Sequence, residues 1–385
     1  MKDFYFKMLT RIRFGVGLSR QTAKLCKEYG GTKAFIVADK ILADNGLLDN
    51  IFAGFDKEDM EFVLYAEEML EPTVTGINRV TEIMRQANCD ICVAIGGGSA
   101  IDTAKAICIL QTNEGSAREY MFGGGKSIKN PGMTLICIPS TAGTGAEVTA
   151  AAVIGVEDEQ KKLSITDEKM IPGVAILDPE MQATLPPSVT ATTGMDALTH
   201  AIESYVSLNA NPMGEMYSEK CIEMIGANLR TAVSDGSNME ARSNMIIASL
   251  IGGAAILNCG LGVVHGIGQA IGGIAHVPHG LINALLLPYC MKRNLVGNLD
   301  KFGKIAALLG ENVNGLSKRE AALKSVEAIE NLVNDIGIPT KLSKVGVTKE
   351  MFPQIIEETM AYRLLAINPI KITPKIVEDI LNEAY

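Results

Sequence analysis

The chain lacks, first, any excess of positive charge. Its 35 Lys and Arg stand against 44 Asp and Glu, a net charge of −9. Nucleic acids and anionic membranes are recognised through basic patches, so both classes of partner are excluded. Long apolar runs are missing too: charge or proline interrupts every stretch before 18 residues, and no transmembrane span is expected. Residues 1–14 carry Lys2, Asp3, Lys7, Arg11 and Arg13 without an apolar run, unlike a signal peptide. Cysteine pairing is sparse. Of eight cysteines only Cys89 and Cys92 form a C-x-x-C, and no second such pair offers a zinc framework. Reduced thiols in a cytoplasmic enzyme fit this usage. Tryptophan is absent and histidine scarce, at four in 385 residues.

What is present is apolar: 47% of the residues are hydrophobic, enough for two sizeable cores in a chain of this length. In the first half, short apolar runs alternate with helical stretches. Lys33–Asp39, Phe62–Ala66, Ile91–Ile95, Thr134–Pro139 and Val174–Pro179 read as strands, and residues 4–14 as an N-terminal strand or hairpin. Ser19 to Tyr29, Asn78 to Gln86 and Ile101 to Leu110 read as helices, the first with Ser19 as its cap. Continuous apolar strands between helices imply a largely parallel sheet covered on both faces. Beyond Pro186-Pro187 helical periodicity dominates to Tyr385. The expected organisation is an α/β domain over residues 1–187 and an all-helical domain over 188–385.

Two glycine clusters compete for a nucleotide. Gly15-x-Gly17 precedes a helix, but Arg20 stands where a Rossmann fingerprint wants a small residue. Gly96-Gly97-Gly98-Ser99 follows the most strand-like run and opens a helix, whose free N–H groups and dipole suit a pyrophosphate. Ser140-Thr141-Ala142-Gly143-Thr144 is a second small, hydroxyl-rich loop after a strand. Asp39 ends its strand where it could accept from ribose hydroxyls. It would repel a 2′-phosphate, favouring NAD(H) over NADP(H); a plain turn aspartate is the other reading. Lys162 is a cofactor contact or a solvated charge.

Three of the four histidines keep suggestive company. Asp196 and His200 are four apart on an expected helix and share a face, a carboxylate and an imidazole suited to iron, zinc or manganese. Such pairs also occur on solvated helices. His265 and His279 lie in apolar, glycine-rich surroundings where an imidazole needs a partner.

The segments Gly96–Asp102, Pro139–Thr149, Leu177–Glu180, Leu185–Pro187, Gly194–Glu203, Gly260–Gly266 and Val277–Gly280 together resemble the iron-containing (group III) alcohol dehydrogenases, including lactaldehyde reductases and propanediol and butanol dehydrogenases. The resemblance implies a Rossmann-like domain joined to an all-α domain, a dehydroquinate synthase-like architecture with its site in the cleft. It places the metal ligands on Asp196, His200, His265 and His279. It places cofactor contacts on Asp39, Gly97, Gly98, Ser99, Ser140, Thr141, Thr144 and Lys162. The expected cofactors are Fe2+, with Zn2+ or Mn2+ as alternatives, and NAD(H). The expected chemistry is hydride transfer between a small alcohol or aldehyde and nicotinamide C4. Where many members carry a second histidine near the nicotinamide, this chain has Gln269, which cannot act as a base. His276 is the candidate substitute, or a structural histidine. Other readings are a non-redox cyclase or lyase of the same architecture, glycerol dehydrogenase-like polyol oxidation, and a binding protein without metal. A homodimer formed through the N-terminal strand, or a higher homo-oligomer, completes the expectation.

Overall fold

The computed structural model describes residues 3–67, 72–159 and 161–385. They divide into two compact units. One holds Met8–Thr141 and Gly145–Ala183; the other holds Thr184–Tyr385 together with the first residues up to Lys7 and Ala142–Thr144.

The α/β unit is built on six parallel strands: β1 (Arg11–Phe14), β2 (Lys33–Asp39), β3 (Glu61–Glu67), β4 (Ile91–Gly96), β5 (Leu135–Pro139) and, after a hairpin, β8 (Val174–Leu177). The hairpin strands β6 (Ala151–Val156) and β7 (Lys161–Thr166) pair antiparallel apart from this sheet, an element the sequence reading does not contain. Strand order is β1-β8-β5-β4-β2-β3. The alternation along β2 shows why these runs are apolar throughout. Phe35 and Val37 enter one core with Cys92 and Ala94. Ala34, Ile36 and Ala38 enter another with Ile91, Val93 and Ile95. Both faces of the sheet are covered, so neither set of positions tolerates a polar side chain. Each such large apolar side chain contributes about 1.5–3 kcal/mol relative to exposure.

The order also locates the ligand end. From β2 the chain steps outward to β3, then crosses back to β4 on the other side of β2. The carboxyl ends of β2 and β4 therefore flank a topological switch point, where folds of this kind bind ligands. Ala38 is in register with Ile95, which sets Asp39 level with Gly96.

Two expectations are corrected. The N-terminal stretch is not a strand from Phe4 and makes no hairpin; only Arg11–Phe14 pairs, along β8. Ser19 is not a helix cap either. Leu18–Gln21 forms a short 3₁₀ turn before the helix Thr22–Glu28. The carboxylate of Asp178, from the far end of β8, accepts the N–H groups of Gly17 and Ser19, both at 2.9 Å. That carboxylate occupies the donors a phosphate would need, so the first glycine cluster is a structural turn.

In the helical unit the helix Pro187–Val206 is buried on all sides from Gly194 onward. It packs among Pro212–Ser234, Met239–Cys259 and His279–Asn294. A helix apolar all round belongs at the centre of a bundle, which makes the polar residues it carries conspicuous. Among the described residues no single helix is long and apolar enough to cross a membrane.

Candidate metal centre and glycine turn

Three helices deliver side chains to one point in the helical unit. Asp196 comes from the central helix, His265 from the first turn of Val263–Ala275, and His279 from the start of His279–Asn294. One ligand atom from each lies within 4.8 Å of the others. Asp196 Oδ1 is 3.7 Å from Nε2 of His265 and 3.7 Å from Nε2 of His279. His200 stands beside this triple. Its Nε2 is 3.8 Å from the other Asp196 oxygen, and its ring stacks on that of His265 with centroids 4.8 Å apart.

The helix before His265 ends at Gly260, whose φ of +76° favours glycine, and the chain turns by 103° into the next helix. A side chain at Gly262 would come within 2.9 Å of Glu203 Oε1 and 2.8 Å of Asn368 Oδ1. Glycine there lets the backbone approach Glu203 closely.

The electrostatics suit a cation. Burial pushes the Asp196 carboxyl up, but three imidazoles and the Asn283 amide outweigh it and hold it at about 2. Burial and the neighbouring rings keep His200 neutral, with a pKa of about 4 despite Asp196. Burial opposes protonation of His265 as well. There the hydrogen bond and charge of Glu203, with Asp196, win, and its pKa lies above the ordinary value.

Two residues at the centre were absent from the sequence reading. Asn283 Nδ2 lies 2.8 Å from Asp196 Oδ1, 3.2 Å from His265 Nε2 and 3.0 Å from His279 Nε2. Two amide hydrogens cannot satisfy three acceptors. A divalent cation bonds several at once, and one carboxylate with imidazoles is a donor set that iron, zinc and manganese accept. The residues present therefore fit a metal. Glu203, the second, accepts from His265 Nδ1 at 2.6 Å. Both had a signal in the sequence. Glu203 follows Asp196 and His200 at i+7 on the same helical face, and Asn283 follows His279 at i+4.

His276 is not drawn into the cluster. It is exposed and caps the preceding helix in the left-handed region, at φ +53°.

In the α/β unit the structure brings Asp39 to the second glycine cluster. Gly97 is the N-cap of the helix Gly98–Thr112, and its N–H donates to Asp39 Oδ2 at 2.8 Å. A Cβ on Gly96 would lie 2.5 Å from that oxygen and 2.7 Å from Ala100 Cβ, so the turn closes only on glycine. Ser140 N–H donates to the Gly96 carbonyl at 2.9 Å, and Thr141 lies beside Gly97. Gly98 and Ser99 open the helix itself. Thr144 belongs to the short stretch grouped with the helical unit, and Lys162 stands on β7 opposite Gly155.

Behind this turn lies a buried polar cluster the sequence reading also missed. Lys105, 1% exposed, donates to Thr149 Oγ1 and to the Ala151 carbonyl, both at 2.9 Å, and lies 3.6 Å from Asp102. Glu147 is buried nearby on the loop after β5, its carboxyl pushed up by burial to about 7.

Comparison with known proteins agrees with this geometry. A family model described as iron-containing alcohol dehydrogenase matches residues 10–179. The model for the C-terminal part of the Fe-containing alcohol dehydrogenase family matches residues 190–385. The chain is 37% identical over 374 residues to 1,3-propanediol dehydrogenase of Citrobacter freundii, covering 97% of this chain and 96% of that protein. It is 37% identical over 336 residues to the NAD-dependent methanol dehydrogenase of Bacillus methanolicus, covering 87% and 88%. Among solved structures, a 1,3-propanediol oxidoreductase superposes with a TM-score of 0.96 at 36% identity, covering all of both chains.

Proposed function

The chain belongs to the iron-containing alcohol dehydrogenase family, and from that premise we propose that it interconverts small alcohols and aldehydes in a metal-dependent, NAD(H)-linked reaction. The observation that carries the proposal is the convergence of Asp196, His265 and His279 on one point, with His200 beside them. These four residues are the proposed metal ligands, with iron the first candidate and zinc or manganese the alternatives. Asp39, Gly97, Gly98, Ser99, Ser140, Thr141, Thr144 and Lys162 are the proposed dinucleotide contacts. The helical unit thus serves the metal and the α/β unit the cofactor.

A bound cation supplies Lewis acidity toward an alcohol or carbonyl oxygen, and a bound nicotinamide accepts or returns hydride. The protein's own part is positional and electrostatic. Asp196 stays ionised and His200 neutral across the physiological range, so both present lone pairs. Burial of Asp196, His200 and His265 keeps water from the back of the site. The helix that opens at Gly98 directs its positive dipole end at the proposed pyrophosphate site, with the Gly97 N–H already given to Asp39.

Primary alcohols, diols and their aldehydes are the proposed substrate class, in keeping with relatives named for propanediol and methanol. Those names do not favour the non-redox alternative. Eight buried free thiols suit a cytoplasmic setting.

The test is metal analysis and NADH formation on a panel of alcohols for wild type, H265A and H279A. Each variant is expected to lose metal and turnover while still binding NADH. Stoichiometric metal and wild-type turnover in H265A would overturn the proposal.

A further inference from the structure

Glu203 is a carboxylate with 4% exposure on the central helix of the bundle. Burying a charge is costly unless it is bonded on all sides, so its partners report its purpose. Both oxygens are committed to one segment. Oε1 accepts the backbone N–H of Val264 at 2.7 Å, and Oε2 accepts from His265 Nδ1 at 2.6 Å. The adjacent Val263 N–H goes instead to Asn368 Oδ1 at 3.2 Å, so the turn into the helix is satisfied residue by residue. Gly262 has no side chain where one would press on Glu203 Oε1 at 2.9 Å.

We propose that Glu203 is a positioning residue of the metal centre: it holds His265 in the tautomer with the proton on Nδ1 and fixes the ring so that Nε2 faces Asp196 and His279. The inference rests on the metal reading above. The geometry leaves little choice of tautomer. A carboxylate only accepts, so the hydrogen lies on Nδ1, and Nε2 keeps its lone pair 3.7 Å from Asp196 Oδ1. The bond to the Val264 N–H sets the height of the ring relative to the central helix, because carboxylate, backbone and ring move as one body. His200 is built differently. Its Nδ1 is buried without a hydrogen-bond partner among the described residues. His265 is thus oriented before any ion arrives, whereas His200 is held by packing and by its stack on His265 rather than by a hydrogen bond at Nδ1. Outer partners of this kind weaken metal affinity by about 10–100-fold when removed.

The experiment uses the full chain labelled with 15N-histidine, which gives four imidazoles to resolve, with H265Q identifying the signals of His265. Long-range 1H–15N spectra are recorded on chelated and Zn2+-loaded protein at alkaline pH, and Zn2+ affinity is measured by competition with a chelating dye. In wild type His265 is expected to carry its proton on Nδ1 in both states. In E203Q, with circular dichroism unchanged, a mixed or reversed tautomer and 10–100-fold weaker Zn2+ binding are expected. A wild-type His265 protonated on Nε2 overturns the proposal, and it does so even if E203Q fails to fold. An E203Q protein with unchanged tautomer and affinity, while H265A loses Zn2+, sinks the role of Glu203 alone. Full Zn2+ retention by H265A instead removes the metal reading beneath it.

Discussion

At the scale of single residues, burial decides what each titratable group can do. Glu147 is the clearest case. Burial raises its carboxyl from an ordinary 4.5 to about 7, with Lys105 and its own backbone N–H only partly offsetting this. Below about pH 4.5 the group is protonated whether the chain is folded or not. Between there and about 7 the folded state keeps a proton that the unfolded state releases. Stability therefore falls as pH rises through that window, by an amount on the order of 3 kcal/mol. E147Q removes the titration. Its stability relative to wild type, read from denaturant melts, is expected to be higher at pH 8 than at pH 5. An identical difference at both pH values would show that folding leaves the Glu147 pKa unshifted. The cysteines illustrate the opposite outcome. Burial pushes Cys26 up to about 12 and the other thiols with resolved shifts upward as well, leaving packing residues rather than nucleophiles.

At the scale of elements, the ends of β2 and β4 are tied by the bond from Gly97 N–H to Asp39. One oxygen of Asp39 thus shapes the glycine turn, and the proposed ribose contact falls to the other. The two roles separate by substitution. D39N retains an acceptor for Gly97 and loses the charge, so it is expected to use NADP(H) better with little loss of NAD(H) affinity. D39G is expected to gain NADP(H) use but weaken both cofactors, because the turn loses its anchor. Steady-state kcat/KM with each cofactor reads the difference; an unchanged preference in both variants would remove Asp39 from the site. What was legible in the sequence follows from how local the signal is. β4 and its glycines read plainly, because an apolar run followed by Gly96-Gly97-Gly98 is a contiguous pattern. The cap at Ser19 misled, because the true acceptor, Asp178, is 159 positions away. The β6–β7 hairpin was missed although Leu163 and Ile165 of β7 alternate with Lys162, Ser164 and Thr166, because two apolar positions are too short a run to stand out. Glu203 and Asn283 had the right helical spacing, but only the docking of three helices shows what they face.

At the scale of the molecule, β1 lies at the rim of the six-stranded sheet with all four residues exposed, Ile12 and Phe14 among them. An open edge with apolar side chains invites another strand, and a second copy of this chain offers an identical one across a two-fold axis. The expected form is a homodimer by light scattering, with Ile12→Lys combined with Phe14→Lys giving monomer. A doubly substituted protein that stays dimeric would place the contact elsewhere. The metal centre has its own molecular consequence. Its proposed donors are drawn from positions 196, 200, 265 and 279, so no nascent chain possesses the site until helices far apart in the sequence have docked. Ion uptake is then the act of a finished fold. Of the four proposed ligand side chains only that of His279 is wet, at 43% exposure against 3% for Asp196 and 4% for His200 and His265. With the proposed ligands in place, exchange with the surrounding ion pool is expected to run past that ring, and a bulkier neighbour closing over it is expected to slow the gain, loss and replacement of the ion.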